Sequence, residues 1–185
     1  MLPILKLPTP SLRERSLEID HEVLLSNEIQ AFIKKMIPTM YMADGVGLAA
    51  PQVGNNIRLC VIGKAALTKK IKILSGKIPL DKDLVLVNPI WTKISRRINW
   101  DIEGCLSVLK VYGKVKRLSD ILVESWNNQG EELRFEAHDF FARVIQHEVD
   151  HLNGILFIDK ASELYEVTEE ELAANRAAIK AKREL

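Results

Sequence analysis

The sequence has no apolar run that approaches the length of about 20 residues needed to cross a bilayer as a helix. Its start, MLPILKLPTP, lacks the basic region and the long apolar stretch of a secretory signal peptide, and it is not rich in Arg or Ser as a transit peptide is. Internal repeats, low-complexity segments and Gly/Ser-rich linkers are also absent. We therefore expect a cytoplasmic protein without a membrane partner.

Cysteine is scarce and the net charge is small. The two cysteines, Cys60 and Cys105, can form one disulfide at most, and in a reducing compartment we expect both as thiols. Cys60 lies in the apolar run IRLCVI, which favours a small buried side chain. The formal net charge of +1 argues neither for nor against a polyanionic partner, and we expect no direct, sequence-specific binding of nucleic acid.

The length of 185 residues and the 47% hydrophobic and 28% charged fractions are typical of one soluble domain. Apolar side chains at helical spacing predict an amphipathic helix over about 24–43, which Pro38 should kink or divide. A Gly-rich loop follows at 44–54. Short strand signals then continue to about residue 136, interrupted by a loop or irregular excursion at 64–83.

Two further helices are predicted in the last third of the sequence. Helical spacing returns at 138–152, where Asn153-Gly154 supplies a stop, and Thr168 and Glu171 have the spacing of a capping box that begins a helix over about 168–185. These patterns predict the α+β class, with antiparallel sheets around one central helix and a helix near each end of the chain. We expect a single domain over 1–185 with its core at about 4–160.

The strongest chemical signal is the run His147-Glu148-Val149-Asp150-His151 on the predicted central helix. Residues four apart lie on the same face of a helix, so both imidazoles can bind one metal ion. Glu148 then lies beside the ion rather than on it, as a general base must. The alternative is a buried helix with two hydrogen-bonded core histidines and an ion-paired glutamate, and the apolar neighbours fit either interpretation.

A catalytic site of this kind needs a third protein ligand and an open position for water. A histidine six residues after His151 is excluded, because that position is Phe157. A glutamate further on would have to come from 163, 166 or 169–171, an acidic stretch more typical of a solvated helix start. We expect Cys105, in the run EGCLS, to be the third ligand, because a thiolate binds borderline-soft ions strongly.

Three motifs occur in the order and at about the spacing seen in peptide deformylases: GVGLAAPQ at 45–52, EGCLS at 103–107 and HEVDHLNG at 147–154. The opening ILKLPTPSLRERS is also similar to the start of that family, so the similarity runs from near residue 4 to about 160. GVGLAA alone is similar to a dinucleotide-binding loop, but it follows a helix rather than a strand. The resemblance implies a bacterial cytoplasmic enzyme that removes the formyl group from the formyl-methionine of nascent polypeptides and releases formate.

The resemblance also implies the roles of the site residues. Cys105 and the two histidines hold one divalent ion, and Glu148 transfers the proton. The oxyanion of the tetrahedral intermediate is stabilised by the ion, by the side-chain amide of Gln52 and by the backbone N–H of Leu106. The implied physiological ion is Fe²⁺; the ligands alone suit Zn²⁺, and Ni²⁺ or Co²⁺ could also occupy the site.

Substrate contacts are predicted for the Gly-rich loop and the central helix. Gly45, Val46 and Gly47 let the backbone pass close to an extended peptide and pair with it like an added strand. The methionine side chain is expected in an apolar pocket near Val46, Val144 and His147. The alternative for the loop is a tight turn without any contact to substrate.

Two positions depart from the usual pattern of the family. Leu109 stands where a proline usually follows EGCLS, and Tyr112 stands where an arginine is often found. Neither change touches the metal ligands or the base. We expect Tyr112 to contact the substrate and both changes to alter the substrate entrance.

Other functions remain open at this level. A zinc peptidase that cleaves internal bonds needs a third ligand after His151, and a binding module with a structural metal needs a fourth Cys or His and makes Glu148 dispensable. By resemblance Glu103 is structural and pairs with Arg117, whereas Asp150 is expected to face solvent or to support a ligand. The last helix, 168–185, is predicted to contact the ribosome, where the substrate emerges.

Overall fold

The computed structural model describes residues 1–67 and 71–174. Three complete α-helices, the start of a further helix at 169–174 and nine strands are found in this part of the chain. The helices are α1 (His21–Leu24), α2 (Asn27–Met42) and α3 (Asp139–Leu152). The strands are β1 (Gly47–Ala49), β2 (Leu59–Ile62), β3 (Lys72–Ser75), β4 (Leu84–Lys93), β5 (Ile98–Cys105), β6 (Val108–Leu118), β7 (Asp120–Trp126), β8 (Glu132–His138) and β9 (Ala161–Glu166).

The strands form two antiparallel sheets. The larger has the order β1-β2-β4-β7-β8-β3, and the smaller has the order β5-β6-β9. Helix α3 packs against β1, β2 and β8 of the larger sheet and against β6 of the smaller one, so it is enclosed between the two. The predicted α+β class with a central helix is confirmed.

Helix α2 covers the outer side of the larger sheet. It begins after Ser26, whose Oγ accepts a hydrogen bond from the Ile29 N–H at 3.3 Å, and its apolar face buries Met36 and Met40. Pro38 lies inside the helix, which nevertheless continues as one element to Met42, so of the two effects expected at this proline, a kink or a division, the division is wrong. The missing N–H costs one helical hydrogen bond, and the buried methionines on either side hold the helix on the sheet.

Helix α3 follows directly on strand β8 and ends where the sequence predicts. His138 is its N-cap residue, and the chain leaves the helix at Asn153 and Gly154. Gly154 has a φ of +71°, and a Cβ there would lie 2.3 Å from the carbonyl oxygen of Arg13. Glycine is therefore required both by the backbone conformation and by the close approach of the N-terminal segment.

Three short strands were not predicted. Strand β3 lies in the stretch 64–83 and pairs with β8, β9 pairs with β6, and β1 lies within the predicted Gly-rich loop. Strand β3 and nearly all of β9 are solvent-exposed, so neither shows the alternation of apolar and polar residues that marks a half-buried strand. Strand β1 has only three residues, all of them buried.

The capping box predicted at Thr168 is present. The Glu171 side chain accepts a hydrogen bond from the Thr168 N–H at 2.8 Å, and the Thr168 Oγ1 accepts one from the Glu171 N–H at 3.2 Å. Helical conformation follows at 169–174, and the rest of the helix predicted to residue 185 lies outside the described residues. Within the described ranges, no helix is long and apolar enough to cross a membrane.

Candidate active site

The structure brings the three predicted metal ligands together. Cys105 is the last residue of β5, and His147 and His151 lie one turn apart on α3. The Cys105 Sγ is 3.2 Å from the His151 Nε2, and the possible ligand atoms of all three residues lie within 4.8 Å of one another. In the part of the chain that the structure describes, this is the one group of three His, Cys or acidic side chains placed to hold an ion. The glutamates after His151 are not in it, so a peptidase-type third ligand is missing there.

The chemistry of these donors fits a borderline-soft divalent ion. Burial raises the pKa of the Cys105 thiol, but the adjacent His151 and His147 outweigh it and hold that pKa well below its usual range, which favours the thiolate. The Nδ1 of His147 is bonded to Glu103 at 2.9 Å, which leaves its Nε2 for an ion. One thiolate and two imidazoles suit zinc or ferrous iron, and the cluster indicates a single metal site.

A buried carboxylate fixes the His147 ring. Besides the imidazole, Glu103 accepts two hydrogen bonds from Arg117, both at 2.9 Å, and one from Arg143 at 2.6 Å. Burial by itself raises the pKa of the Glu103 carboxyl, but the bonds from Arg117 and His147 overcome it and hold that pKa well below its usual range. The expected pair of Glu103 with Arg117 is therefore present as part of a larger buried network.

Asp150 extends this network on the other side of Arg117. It is buried at 5% exposure, accepts a hydrogen bond from Arg117 and contacts the Lys160 Nζ at 2.6 and 2.7 Å. Asp150 was expected either to face solvent or to support a metal ligand, and its burial shows that the first expectation is wrong. Because Arg117 bridges Glu103 on β5 and Asp150 on α3, the network ties the strand that carries Cys105 to the helix that carries the histidines.

Glu148 lies beside the cluster in a closely fitted position. It is 3% exposed, and its Oε2 has no hydrogen-bond partner among the described residues. A Cβ on Gly47 would lie 2.2 Å from the Glu148 Oε1, so only glycine lets the carboxyl occupy this place. Burial raises the pKa of Glu148 to about 7, against the opposing effect of His147 and His151. A carboxyl with this pKa can take up and release a proton near neutrality.

Gln52 and Leu106 border the same space. The Gln52 Oε1 accepts a hydrogen bond from the Ala49 N–H at 2.9 Å, which turns the Nε2 toward the Ser107 Oγ at 3.1 Å and the Cys105 Sγ at 3.6 Å. The Lys6 ammonium donates a hydrogen bond to the carbonyl oxygen of Leu106, which helps to fix the peptide unit between Leu106 and Ser107. A neutral amide donor is thus held next to the thiolate.

A cavity of about 380 Å³ opens at the cluster. Its lining includes ten of the predicted site residues: Gly45, Val46, Gly47, Gln52, Cys105, Leu106, Tyr112, Val144, His147 and Glu148. His151 lies one helical turn further on and is buried. A Cβ on Gly45 would lie 2.7 Å from the Leu106 Cδ1, so the loop and the EGCLS strand approach each other closely across the cavity.

Several residues of the site were not predicted, among them Arg143, Ser107, Lys160 and Leu172. Arg143 could have been found, because it stands four residues before His147 and so lies on the same helical face. Ser107 lies within EGCLS, but its hydrogen bond to Gln52 depends on the meeting of two distant segments. Lys160 and Leu172 carry no local signal, since they reach the network and the cavity only through the folding of the chain after α3.

Comparison with known proteins agrees with the geometry. The sequence model of the polypeptide deformylase family matches residues 1–167. A peptide deformylase of Hydrogenovibrio crunogenus is 41% identical over 163 residues, which are 88% of this chain and 87% of that protein. The crystal structure of peptide deformylase from Thermotoga maritima superposes with a TM-score of 0.74 at 34% identity, covering 88% of this chain and 99% of that one.

A structure of the Acinetobacter baumannii peptide deformylase described as Met-Ala-Ser bound has a TM-score of 0.74 at 32% identity, with 86% of this chain and 98% of that one covered. Both the matched length and the identities are high enough to settle the family. The chain belongs to the peptide deformylase family and is an enzyme that removes the N-formyl group from newly synthesised polypeptides.

Proposed function

We propose that this chain carries out deformylation at one metal site held by Cys105, His147 and His151, with Glu148 as the proton-transfer group. The observation that supports this most directly is the convergence of one thiolate and two imidazoles within 4.8 Å, beside a buried carboxyl. A divalent ion held there would lower the pKa of a bound water toward neutrality and would polarise the formyl carbonyl.

Glu148 takes the proton of the attacking water and passes it to the departing amine. Because the carboxyl is buried and its Oε2 has no partner among the described residues, that oxygen is available to accept a proton. Its pKa of about 7 makes the later release of the proton to the amine feasible at neutral pH. Gly47 sets its position, because the absence of a Cβ is what allows the carboxyl to lie there.

The oxyanion is stabilised by the Gln52 Nε2 and the Leu106 N–H. The hydrogen bond from Ala49 to the Gln52 Oε1 fixes the orientation of the amide, so its N–H groups need no reorganisation during the reaction. Leu106 follows Cys105 directly and lines the same cavity. Two donors from separate segments therefore border the space where the formyl oxygen binds.

The peptide binds as an extended strand along Gly45, Val46 and Gly47. The two glycines are required by contacts with Leu106 and Glu148, and the absence of side chains there also leaves the backbone accessible to a peptide. Val46 and Val144 line the cavity and provide the apolar pocket for the methionine side chain, and Tyr112 borders the entrance.

We further propose that the physiological ion is Fe²⁺, that the whole of 1–185 is one catalytic domain in the bacterial cytoplasm, and that 168–185 contacts the ribosome. The thiolate and imidazole donors suit Fe²⁺ and equally Zn²⁺, Ni²⁺ or Co²⁺, so metal analysis of protein purified anaerobically decides the first point. Deleting 168–185 should lower co-sedimentation with ribosomes, and unchanged co-sedimentation would refute the last point.

The mechanism is tested with formyl-Met-Ala-Ser under anaerobic conditions, comparing wild type with Glu148→Ala at known metal content. We expect formate from the wild type, loss of activity in the variant, and equal metal in both. Metal bound without formate from either protein would point to a structural ion. Full activity of Glu148→Ala would remove Glu148 from the mechanism while leaving the enzyme class intact.

A further inference from the structure

The segment after β9 contributes a side chain to the active-site cavity. Leu172 is 9% exposed and lines the same cavity as Cys105 and Glu148. It lies beyond the residues 1–167 that match the family model. This wall of the cavity is therefore supplied by a part of the chain to which the family comparison assigns no role.

The segment is held against β6 by several independent contacts. Tyr165 and Glu166 of β9 pair with Tyr112 and Val111 of β6. The pairing continues past the strand, where the Val167 N–H donates to the Lys110 carbonyl at 2.8 Å, and the Lys110 Nζ then pairs with Glu169 at 2.5 Å. The capping box at Thr168 starts the helical turn, and Leu172 lies on that turn. Its position is thus built by backbone and side-chain contacts together.

Tyr112 is held as part of the same wall. Its ring stacks on that of Tyr165, with centroids 6.0 Å apart and planes 22° apart. On its other side, a Cβ on Gly104 would lie 2.6 Å from the Tyr112 Cε1, so the ring lies directly against the strand that carries Cys105. The aromatic side chain is therefore fixed between β5 and β9 at the edge of the cavity.

The outer part of the cavity is mostly apolar; Asp44 and Lys110 also line the cavity, and the Lys110 ammonium is paired with Glu169. Ile102, Leu109 and Phe140 line it and are 47%, 45% and 46% exposed, whereas the chemically active end, at Glu148, is 3% exposed. Apolar surface that stays accessible at the mouth of a substrate cavity is stabilised when a ligand covers it. In the proposed peptide-binding mode, the part of the substrate that reaches this mouth is the peptide after the formyl-methionine.

We infer that Leu172 is a specificity-determining residue that contacts the side chain following the formyl-methionine and favours an apolar residue over a charged one there. The inference rests on the proposed peptide-binding mode. Leu172 takes no part in the chemistry, so its loss should affect kcat/KM through binding of one class of peptide.

The test compares formyl-Met-Leu-Ser with formyl-Met-Asp-Ser for wild type, Leu172→Ala and Leu172→Ile. We expect the wild type to prefer the leucine peptide and Leu172→Ala to lose about 10-fold in kcat/KM on it, the size of effect for a lost apolar contact. Its kcat/KM on the aspartate peptide should stay close to that of the wild type. Leu172→Ile keeps the volume and should keep the preference.

Leu164→Ala is the matched control, since Leu164 lies on β9 and is 51% exposed outside the cavity. It should leave the preference unchanged. Calorimetric binding of the product peptide Met-Leu-Ser should weaken in Leu172→Ala and not in Leu164→Ala, which separates recognition from turnover.

An equal change on both peptides, in either direction, would overturn the inference, as would the same loss in Leu164→Ala. If Leu172→Ala fails to fold, two other results would contradict the inference. One is a wild type that shows no preference between the two peptides, and the other is an unchanged preference in Leu172→Gln. No formate from the wild type with either peptide would instead contradict the proposed function, so the two failures are distinguishable.

Discussion

Replacing Glu103 by glutamine removes one charge from the centre of the buried network and leaves its shape almost unchanged. In the wild type this carboxylate accepts hydrogen bonds from Arg117, Arg143 and His147. In Glu103→Gln, Arg117 keeps Asp150 as a buried carboxylate partner, whereas Arg143 keeps only its hydrogen bonds to the Val115 carbonyl and to Asn99. Breaking a buried ion pair from one side costs about 3–5 kcal/mol. We expect the lower end, about 3 kcal/mol, because Arg117 retains its bond to Asp150.

The same change should weaken metal binding. The carboxylate fixes the tautomer and orientation of the His147 ring and increases its basicity, and loss of such a partner costs about 10- to 100-fold in metal affinity. The stability loss is measured as the free energy of unfolding in urea with the metal removed by a chelator. The affinity is measured separately, by competition for Zn²⁺ with a chromophoric chelator.

Asp150→Asn is the matched control for this prediction. Asp150 bonds the same Arg117, but its second side-chain partner is Lys160 rather than the ring of a metal ligand. We therefore expect Asp150→Asn to lower the free energy of unfolding and to leave the Zn²⁺ affinity nearly unchanged. Equal losses of affinity in the two variants, or a Glu103→Gln protein as stable as the wild type, would refute the assignment of Glu103 as the support of His147.

Gly47→Ala should lower kcat by about 100-fold with the fold retained, because its Cβ would displace the Glu148 carboxyl by about an ångström or more. An unchanged kcat with a normal circular-dichroism spectrum would contradict this prediction. Gln52→Leu should lower kcat by about 10²–10³-fold with metal content unchanged, as expected for a lost oxyanion donor, and a loss confined to metal content would argue for a structural role. The hydrogen bonds from Arg97 hold the pKa of Asp120 well below its usual range, so the stability from Asp120 is present above about pH 4 and is lost as the pH falls further. Asp120→Asn should be less stable than wild type at pH 7 in urea unfolding, and the difference should shrink toward pH 2.

The grouping of the chemical residues could be predicted because their signals are local. His147 and His151 are four apart on a helix that the apolar spacing also predicts, so their common face follows from helix geometry. The choice of Cys105 came from elimination of the downstream alternatives and from family resemblance, and the structure places its Sγ beside both imidazoles. What the sequence could not show is the support around them, because the partners of Arg117 lie 14 and 33 residues away along the chain.

The fold was predictable where burial leaves a periodic pattern. Helices α2 and α3 each bury one apolar face, and the buried strands of the larger sheet are apolar runs, so their existence was predicted with bounds off by a few residues. Strands β3 and β9 lie at sheet edges and expose nearly every side chain, and their pairing partners supply the only reason for their extended conformation. Such strands are determined by long-range hydrogen bonding, which no local pattern reports.

The tyrosine at position 112, where the family often has an arginine, is in contact with the segment that brings Leu172 to the cavity. An arginine at this position would extend a flexible, charged side chain, whereas the Tyr112 ring is fixed by Tyr165 on one side and by the backbone at Gly104 on the other. Tyr165 is available only because β9 pairs with β6, and the same pairing directs the chain through Val167 to Leu172. A change at one residue of the entrance is thus coupled to a segment more than 50 residues later in the sequence. If this coupling holds, Tyr165→Ala should weaken the peptide preference in the same direction as Leu172→Ala, although Tyr165 does not line the cavity.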